Sequence, residues 1–485
     1  MLKRNVLLLM LLFLLVCNSF VTLNINIAIV SMVGKSNTET ETIDQVVICP
    51  NQSFFLRDFS ITDEPSFSNT QQVLSEVFDW SESEQNVVLS GYYWLNYFSI
   101  LPGGVLAHKY GSKIVAGYAQ LIASSMSSLI PIVTVYGPLK VAWLRAIQGV
   151  LSFMAVPAAL YTIVGKWIPP QERSKFMAAF YGGSVVGMTA GNFVFGYTAH
   201  YMSWTYVFHL TTVCGIIWSI FWYTLVHDSP DQHPTITAEE KQYIESCLKE
   251  STSKTKTRIP WTSILFSVPV IVSILSMNAT VWVCVMLITY VPVYLKHIYG
   301  LNSNEIGIIS SVPNVVVGIS VLGLAYCVDL TLKKNLLSIT ATRKICTLTG
   351  ATFASIPIII IAFTKCNLTL VIVCLLIHYI TRILLPFGAP LSMIDMSPEF
   401  CGIIEGLSGT SSSVQTFLFT WAVNYFTSNL GFEELWKMVF LYSTMYLVVA
   451  SLLFLIFGTS EVQDWNYRGR SEQRKCEDVK MANLR

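Results

Sequence analysis

A chain of 485 residues that is 53% hydrophobic and 12% charged, with net charge +1 and mean hydropathy +0.56, has too few charges to cover a soluble surface of its size. That excludes a soluble globular enzyme, and the composition points to an all-α membrane protein; the net charge says nothing about partners, and no nucleic-acid partner is expected. The cysteines show no metal spacing and mostly fall in apolar runs, where they read as small buried hydrophobes.

The first residues, MLKRNVLLLMLLFLLVCNSF, begin like a secretory signal. No small-residue cleavage pattern follows, however, and the apolar run continues to about Val33, long enough to cross a bilayer of ~30 Å. We read it as a retained first span. Residues 35–86 then form a polar, acidic excursion with the sequon Asn51-Gln-Ser. Windows of about 20 apolar residues predict the next eleven spans at 87–107, 114–135, 139–164, 176–199, 203–227, 264–295, 305–328, 345–363, 368–394, 402–428 and 438–458.

With the N-terminus inside, 22 Lys and Arg fall on the inner side, 6 outside, and Arg145 and Arg382 within the membrane. This is a strong positive-inside bias, so both termini are expected in the cytoplasm. The loop sequons at Asn51 and Asn367 land outside, which predicts glycosylation there; Asn278 also heads a sequon but lies within span 7. Cys49 and Cys366 fall in the same outer loops, which leaves a disulfide between them open. Twelve spans divide six and six: a first half at 1–227, a polar connection at 228–262, a second half at 263–458 and a tail at 459–485. This resembles the two-half arrangement of major facilitator transporters. Weak internal similarity supports it, since GGVLAHKYGSK after span 2 has a counterpart in GLAYCVDLTLKK after span 8.

Gly104 and Gly111, with Lys109 and Lys113, make a tight basic turn suited to a gate loop. Arg173 in KWIPPQERSK and Asp395 at the inner end of span 10 are further gate candidates. Gly183, Gly187 and Gly191 give span 5 a smooth packing face. An arginine inside a hydrophobic span costs several kcal/mol and tends to face a partner, cavity or substrate path, which singles out Arg145. In this fold spans 1, 4, 7 and 10 line the path. Span 1 carries Asn18, Thr22 and Asn26 at spacing four, read equally as substrate contact or interhelical glue. Span 7 offers Asn278, Thr280 and Trp282; span 10 holds His378 and Arg382, four apart. Tyr92, Trp94 and Trp282 would shape the walls. Two arginines across a dry cavity repel, and a bound anion relieves the repulsion; alternatively each is satisfied by carbonyls or aromatic faces.

The motifs GYYWLNYFSILPGGVLA, LRAIQG, KWIPPQERSK, WTYVFHL, SPDQHPTITAEEKQYI, IDMSPEFCGIIEG and GTSEVQDW, in this order, resemble the anion:cation symporter family of sialin, vesicular glutamate transporters and type I sodium-phosphate cotransporters. The resemblance implies a facilitator fold that moves anions. It also implies that Arg145 faces the anion. Thr22, Leu89, Ser152 and Thr280 stand where members carry an arginine, a histidine, an acid and an arginine, and His108 stands where many carry Asp.

No nucleophile–base pair, phosphate loop or metal cluster argues for an enzyme, and no cofactor is expected. The reading is a monomeric secondary transporter of phosphate or small organic anions, held in the lipid bilayer, with the plasma membrane favoured over vesicle or lysosome. Its coupling cation is sodium rather than a proton, because the expected span 4 acid is missing. Proton- or potential-driven organic anion transport stays open. So does a non-transporting receptor or scaffold, which the losses at Thr22, Ser152 and Thr280 favour and the retained Arg145 opposes.

Overall fold

The computed structural model describes residues 3–32, 78–248, 259–301, 303–364, 366–427 and 432–466. The first half contains α1 (Lys3–Met32), α2 (Glu82–Gly91), α3 (Ile100–Tyr110), α4 (Ser112–Ser127), α5 (Ile130–Thr134), α6 (Pro138–Trp167), α7 (Arg173–Tyr201) and α8 (Trp204–Leu225). A short polar helix, α9 (Ala238–Leu248), lies in the connection. The second half contains α10 (Trp261–Leu265), α11 (Val268–Val285), α12 (Val291–Tyr299), α13 (Ser303–Lys333), α14 (Ile339–Phe363), α15 (Leu368–Thr381), α16 (Ala389–Met396), α17 (Cys401–Thr427) and α18 (Phe432–Phe457).

Eight helical stretches among the described residues are long and apolar enough to cross a membrane. The other four expected spans coincide with α2–α3, α4–α5, α7 and α17, which are broken or rich in Gly, Ser and Thr. Four spans expected as continuous are interrupted. Span 2 breaks after Gly91 into turns and a short 3-10 segment before α3, and span 3 breaks between α4 and α5. In span 7 a π turn, Met286–Tyr290, joins α11 to α12. Pro292, at the second position of α12, offers no N–H to the carbonyl four residues back, a sufficient local cause of the shift in register. Span 10 passes through 3-10 geometry at Arg382–Phe387, where Pro386 and Gly388 prevent a continuous helix.

Helix starts are fixed locally. Ser81 and Glu84 form a reciprocal capping box on α2, and Ser203, Ser338 and Asn367 cap α8, α14 and α15. Gly111, at φ 98°, turns the chain from α3 into α4 in a conformation other residues rarely adopt. The smooth face of α7 lies on α1: a Cβ at Gly187 would come 2.8 Å from Val16 Cα and the Ser19 side chain.

The halves meet along two seams, α3 against α17 and α7 against α13, with α6 also touching α16 and α17. We call the end holding Lys3, the 228–248 connection and Trp465 the basic end, and the opposite one the far end. Two apolar clusters bridge the halves near the basic end: one joins Leu160, Ile163 and Phe176 to Val321, Ile394 and Cys401, the other joins Leu101 and Val105 to Met393 and Phe400. Nearer the far end, one cluster around Trp80 and Trp204 lies wholly in the first half, and one around Tyr294 and Trp436 wholly in the second. Among the described residues, therefore, the halves are sealed together at the basic end.

Candidate functional site

Arg145 sits on α6 with 1% of its surface exposed. Its Nη1 donates to the Val21 carbonyl at 2.7 Å and to Asn24 Oδ1 at 3.2 Å, and its Nη2 donates to the Thr22 carbonyl at 3.1 Å. The Tyr92 ring covers it at 4.7 Å. Asn24 and Gln148 both donate to Ser127 at 3.2 Å, so the guanidinium belongs to a polar knot joining α1, α4 and α6. Every partner is neutral, and Nε has none. The positive charge is solvated by dipoles and balanced by no carboxylate among the described residues.

Tyr92 separates this knot from the polar stripe of α1. Its hydroxyl donates to Asn18 Oδ1 at 3.3 Å and accepts from Thr22 Oγ1 at 3.2 Å. The close approach of α2 to α6 that holds it there needs Gly149, because any Cβ at that position would collide with the Tyr92 carbonyl. Asn18 and Thr22 are partly exposed and Asn26 is exposed, which gives the first half a neutral polar strip with a buried cation behind it. Trp94 is partly exposed and packs on Trp143 at 5.6 Å, with Nε1 donating to Ser90 at 3.2 Å.

Arg382 lies at the broken junction of α15. It is partly exposed, its Nη1 is 2.8 Å from Cys284 Sγ beside the π turn, and its guanidinium lies 5.1 Å from the Tyr379 ring. His378 lies one intact turn earlier, its carbonyl accepting from the Arg382 N–H, but it is 1% exposed and turned to α14, with Nδ1 2.7 Å from the Ala354 carbonyl. Thr280 and Trp282 also point into packing: Thr280 donates to Ser276 O at 2.9 Å on its own helix, and Trp282 Nε1 to Ser443 on α18 at 2.8 Å. Asn278 lies against the Ser411 and Ser412 hydroxyls of α17. A cleft of about 510 Å³ between α3 and α17, lined by Phe98, Leu101, Pro102, Thr410, Val414 and Phe417, is nearly all apolar, and the Thr410 hydroxyl is buried.

The gate is built at the basic end. Asp395, 3% exposed, bridges Arg173 of the first half and Arg343 of its own half, the latter at 2.9 Å. Arg343 continues across the seam to Ser174 Oγ at 3.4 Å and the Pro170 carbonyl at 3.4 Å. Asp329 of α13 accepts from the Ser174 and Lys175 amides, both at 3.2 Å, so a carboxylate caps the N-terminus of α7 from the other half. Glu172 meets Arg4 at 2.6 Å, Lys175 at 3.0 Å and Lys333 at 3.5 Å. Burial alone would push its carboxyl up, but these cations together hold it below the usual carboxylate range.

Where the first-half turn meets the second half, Gly104 packs backbone to backbone on Gly402, and His108 lies 5.1 Å from the Phe400 ring. Gly111 and Lys113 instead turn inward, the Lys113 amide donating to Asp228 at 2.8 Å, while Lys109 is exposed over Tyr110. Asn51 lies outside the described residues. Asn367 is exposed and its Oδ1 caps α15 at 3.1 Å. Cys366 is disulfide-bonded, and since the other described cysteines are free its partner also lies outside them.

Sequence reasoning missed Asn24, Gln148 and Ser127. Gln148, three residues after Arg145 in RAIQG, was the available signal, since it shares that face of the helix. Arg343 and Asp329 were missed as gate residues for lack of a spacing rule that spans the two halves.

Comparison with known proteins agrees with this architecture. Residues 11–398 match the Major Facilitator Superfamily. The chain belongs to that superfamily. Among curated relatives of this facilitator are sodium-dependent phosphate transport protein 3 of Mus musculus, 25% identical over 91% of each chain, and sialin of Homo sapiens, 27% identical over 91% of this chain and 86% of that one. Vesicular glutamate transporter 2 of Homo sapiens is 26% identical over 82% of this chain and 69% of its own length. These are the transporters of the anion:cation symporter family that the motifs resemble. Among solved structures, the proton:xylose symporter XylE bound to 6-bromo-6-deoxy-D-glucose shares the fold with a TM-score of 0.63 at 14% identity, covering 94% of this chain and 98% of that one. A bacterial homologue of the iron transporter ferroportin in an outward-facing state does so at 0.62 and 13%, covering 94% and 99%. The protein is a multi-pass membrane transporter, not an enzyme.

Proposed function

We propose that this facilitator carries a small anion, phosphate or an organic carboxylate, by alternating access. The anion enters from the far end and is held between the strip of Asn18, Thr22 and Asn26 and the guanidinium of Arg382. The observation that carries the reading is the unbalanced charge of Arg145. A fully buried guanidinium with only neutral partners leaves a positive potential on the adjoining wall, and an anion in the cavity gains from it. Arg145 acts from behind Tyr92, through its field and by fixing the wall, and Arg382 is the arginine that touches substrate. The phosphate, sialin and glutamate relatives support an anionic cargo.

The basic end is the cytoplasmic side in this reading, so the sealed state described here is open to the outside. Sodium is the coupling cation, because Ser152 leaves the path without the carboxylate a proton carrier would use there. The protein works as a monomer in the plasma membrane, and Asn51 and Asn367 are glycosylated. The test is uptake of radiolabelled phosphate, glutamate, sialate and urate into proteoliposomes, with and without a sodium gradient. Sodium-stimulated uptake of at least one anion is expected. Absence of uptake for all of them sinks the transport reading in favour of a scaffold, and stimulation by acid with no response to sodium sinks the coupling.

A further inference from the structure

The seam between the halves contains an acidic residue, Glu405, that lies outside the charge pairs of the gate. Glu405 lies on α17, one turn in from Cys401, and is 7% exposed. The Tyr161 hydroxyl of α6 is its hydrogen-bond partner, and its Oε2 has none. Cys401, four residues earlier on the same face, donates its thiol to the Tyr161 carbonyl at 3.1 Å. This face of α17 therefore lies on the first half. The adjacent face lies on α3, where a Cβ at Gly406 would come 2.8 Å from Leu101 Cα and one at Gly409 would come 2.8 Å from Ile100. Glu405 is thus enclosed by a contact that must part when the basic end opens.

The groups around it can be named. Helix α6 brings Tyr161 and, toward the basic end, the partly exposed Lys166, whose charge reaches Cys401; α17 itself brings Cys401, with Glu399 just before its first turn. From α3 comes His108, against Phe400, and from α16 comes Asp395, already met by Arg173 and Arg343. Helix α11 brings the uncharged Asn278. No cation pairs with the Glu405 carboxyl among the described residues, whereas Asp395 has two and Glu172 three. A carboxylate stripped of water with no cation beside it is far costlier than the neutral acid.

We propose that Glu405 is a proton-binding site of the transport cycle, taking up one proton from water when the basic end closes and returning it when the seam parts. One O–H bond forms on the carboxylate as water leaves the seam, and the same bond breaks as water returns. No other species is consumed. Acid on the basic-end side therefore holds the gate shut, and alkali lets it open. The site lies on the other half from Ser152, so a proton-linked step survives the loss of an acid at that position. It rests on the alternating-access reading for its place in the cycle, but not on any particular cargo.

The test reads the gate without substrate. Fluorophores are attached through unnatural amino acids at the exposed positions Lys109 and Leu336, one in each half, and energy transfer is followed from pH 5.5 to 8.5 in nanodiscs. In the parent the open fraction should rise at least fivefold across this range with a slope of one proton, and Glu405→Gln should stay closed at every pH. A Glu405→Gln curve that follows the parent, or a parent with no pH response, overturns the proposal. If Glu405→Gln does not fold, Glu405→Asp decides: the shorter carboxyl must keep the response with a displaced midpoint, and an unchanged midpoint overturns it. Failure of anion uptake leaves this result standing, so the two readings fail separately.

Discussion

Arg145 and Arg382 each belong to the fourth expected span of a half, but the two halves hold them in opposite ways. Arg145 is 1% exposed and gives three hydrogen bonds to oxygens of α1, whereas Arg382 is partly exposed at a helix break, against a thiol and a tyrosine ring. The first arrangement ties helices together and leaves a charge behind the cavity wall. The second leaves a partly exposed charge, the one to which the proposed function assigns substrate contact. For an anion ~8 Å away, a buried cation acting through an effective dielectric of about 20 contributes about 2 kcal/mol of attraction, enough to matter without contact.

The comparison can be broken most sharply at Arg145. Arg145→Ala leaves carbonyls, Asn24 and a cavity unfilled, and should lower stability by about 3 kcal/mol or more and abolish uptake. Thermal unfolding in detergent beside proteoliposome uptake checks both. Arg145→Lys keeps the charge but not the fork, and should fold better than the alanine variant while transporting poorly. Next is Asp395→Asn, which leaves Arg173 and Arg343 buried without a carboxylate and should weaken closure of the basic end by about 3 kcal/mol. The buried thiol of Cys401 reports it: its alkylation, followed by site-resolved mass spectrometry at fixed pH, should accelerate well over tenfold, and an unchanged rate would remove Asp395 from the gate.

Arg382→Ala should raise the apparent KM about tenfold, equivalent to about 1.4 kcal/mol, with under about 1 kcal/mol lost in stability, the reverse of the pattern at Arg145. The smallest effect concerns Glu172. Its carboxyl is held below the usual range, so its contribution is present above the ordinary carboxylate value of ~4.3 and is lost as pH falls through its lower folded value. The gate should hold at neutral pH and loosen only below about pH 4, outside the window used for Glu405. Lys333→Met, at a half-exposed position, should change closure by less than about 1 kcal/mol. Cys401 alkylation measures the lysine variant, and energy transfer across the gate measures the pH response.

The two-half architecture and the basic end were legible in the sequence because they rest on long apolar windows and on the placement of Lys and Arg. The special standing of Arg145 was legible too, since a charge in an apolar run is conspicuous. Its partners were not, because backbone carbonyls occur at every residue and carry no sequence signal. His378 and Arg382 are joined by an intact helical turn, but their side chains take different neighbours, the Ala354 carbonyl and Cys284, which spacing alone does not specify. Pro386 and Gly388 mark a break just beyond them, which the apolar window passes over. Trp282 was read as a wall, and instead its N–H reaches Ser443 on α18, a pairing no local pattern specifies. Glu405 gave a charge in a Gly- and Ser-rich helix, but whether it faced water or the other half depended on the α3–α17 seam, which joins residues some 300 positions apart.

Equilibrium binding of radiolabelled phosphate, sialate and glutamate to the purified protein tests the central claim most directly, with an uncharged sugar as control and Arg382→Ala beside the parent. The account predicts saturable binding of at least one of these anions, none of the sugar, and about tenfold weaker anion binding in the variant. Equal anion binding by Arg382→Ala and the parent, or tighter binding of the sugar than of any anion, would contradict it.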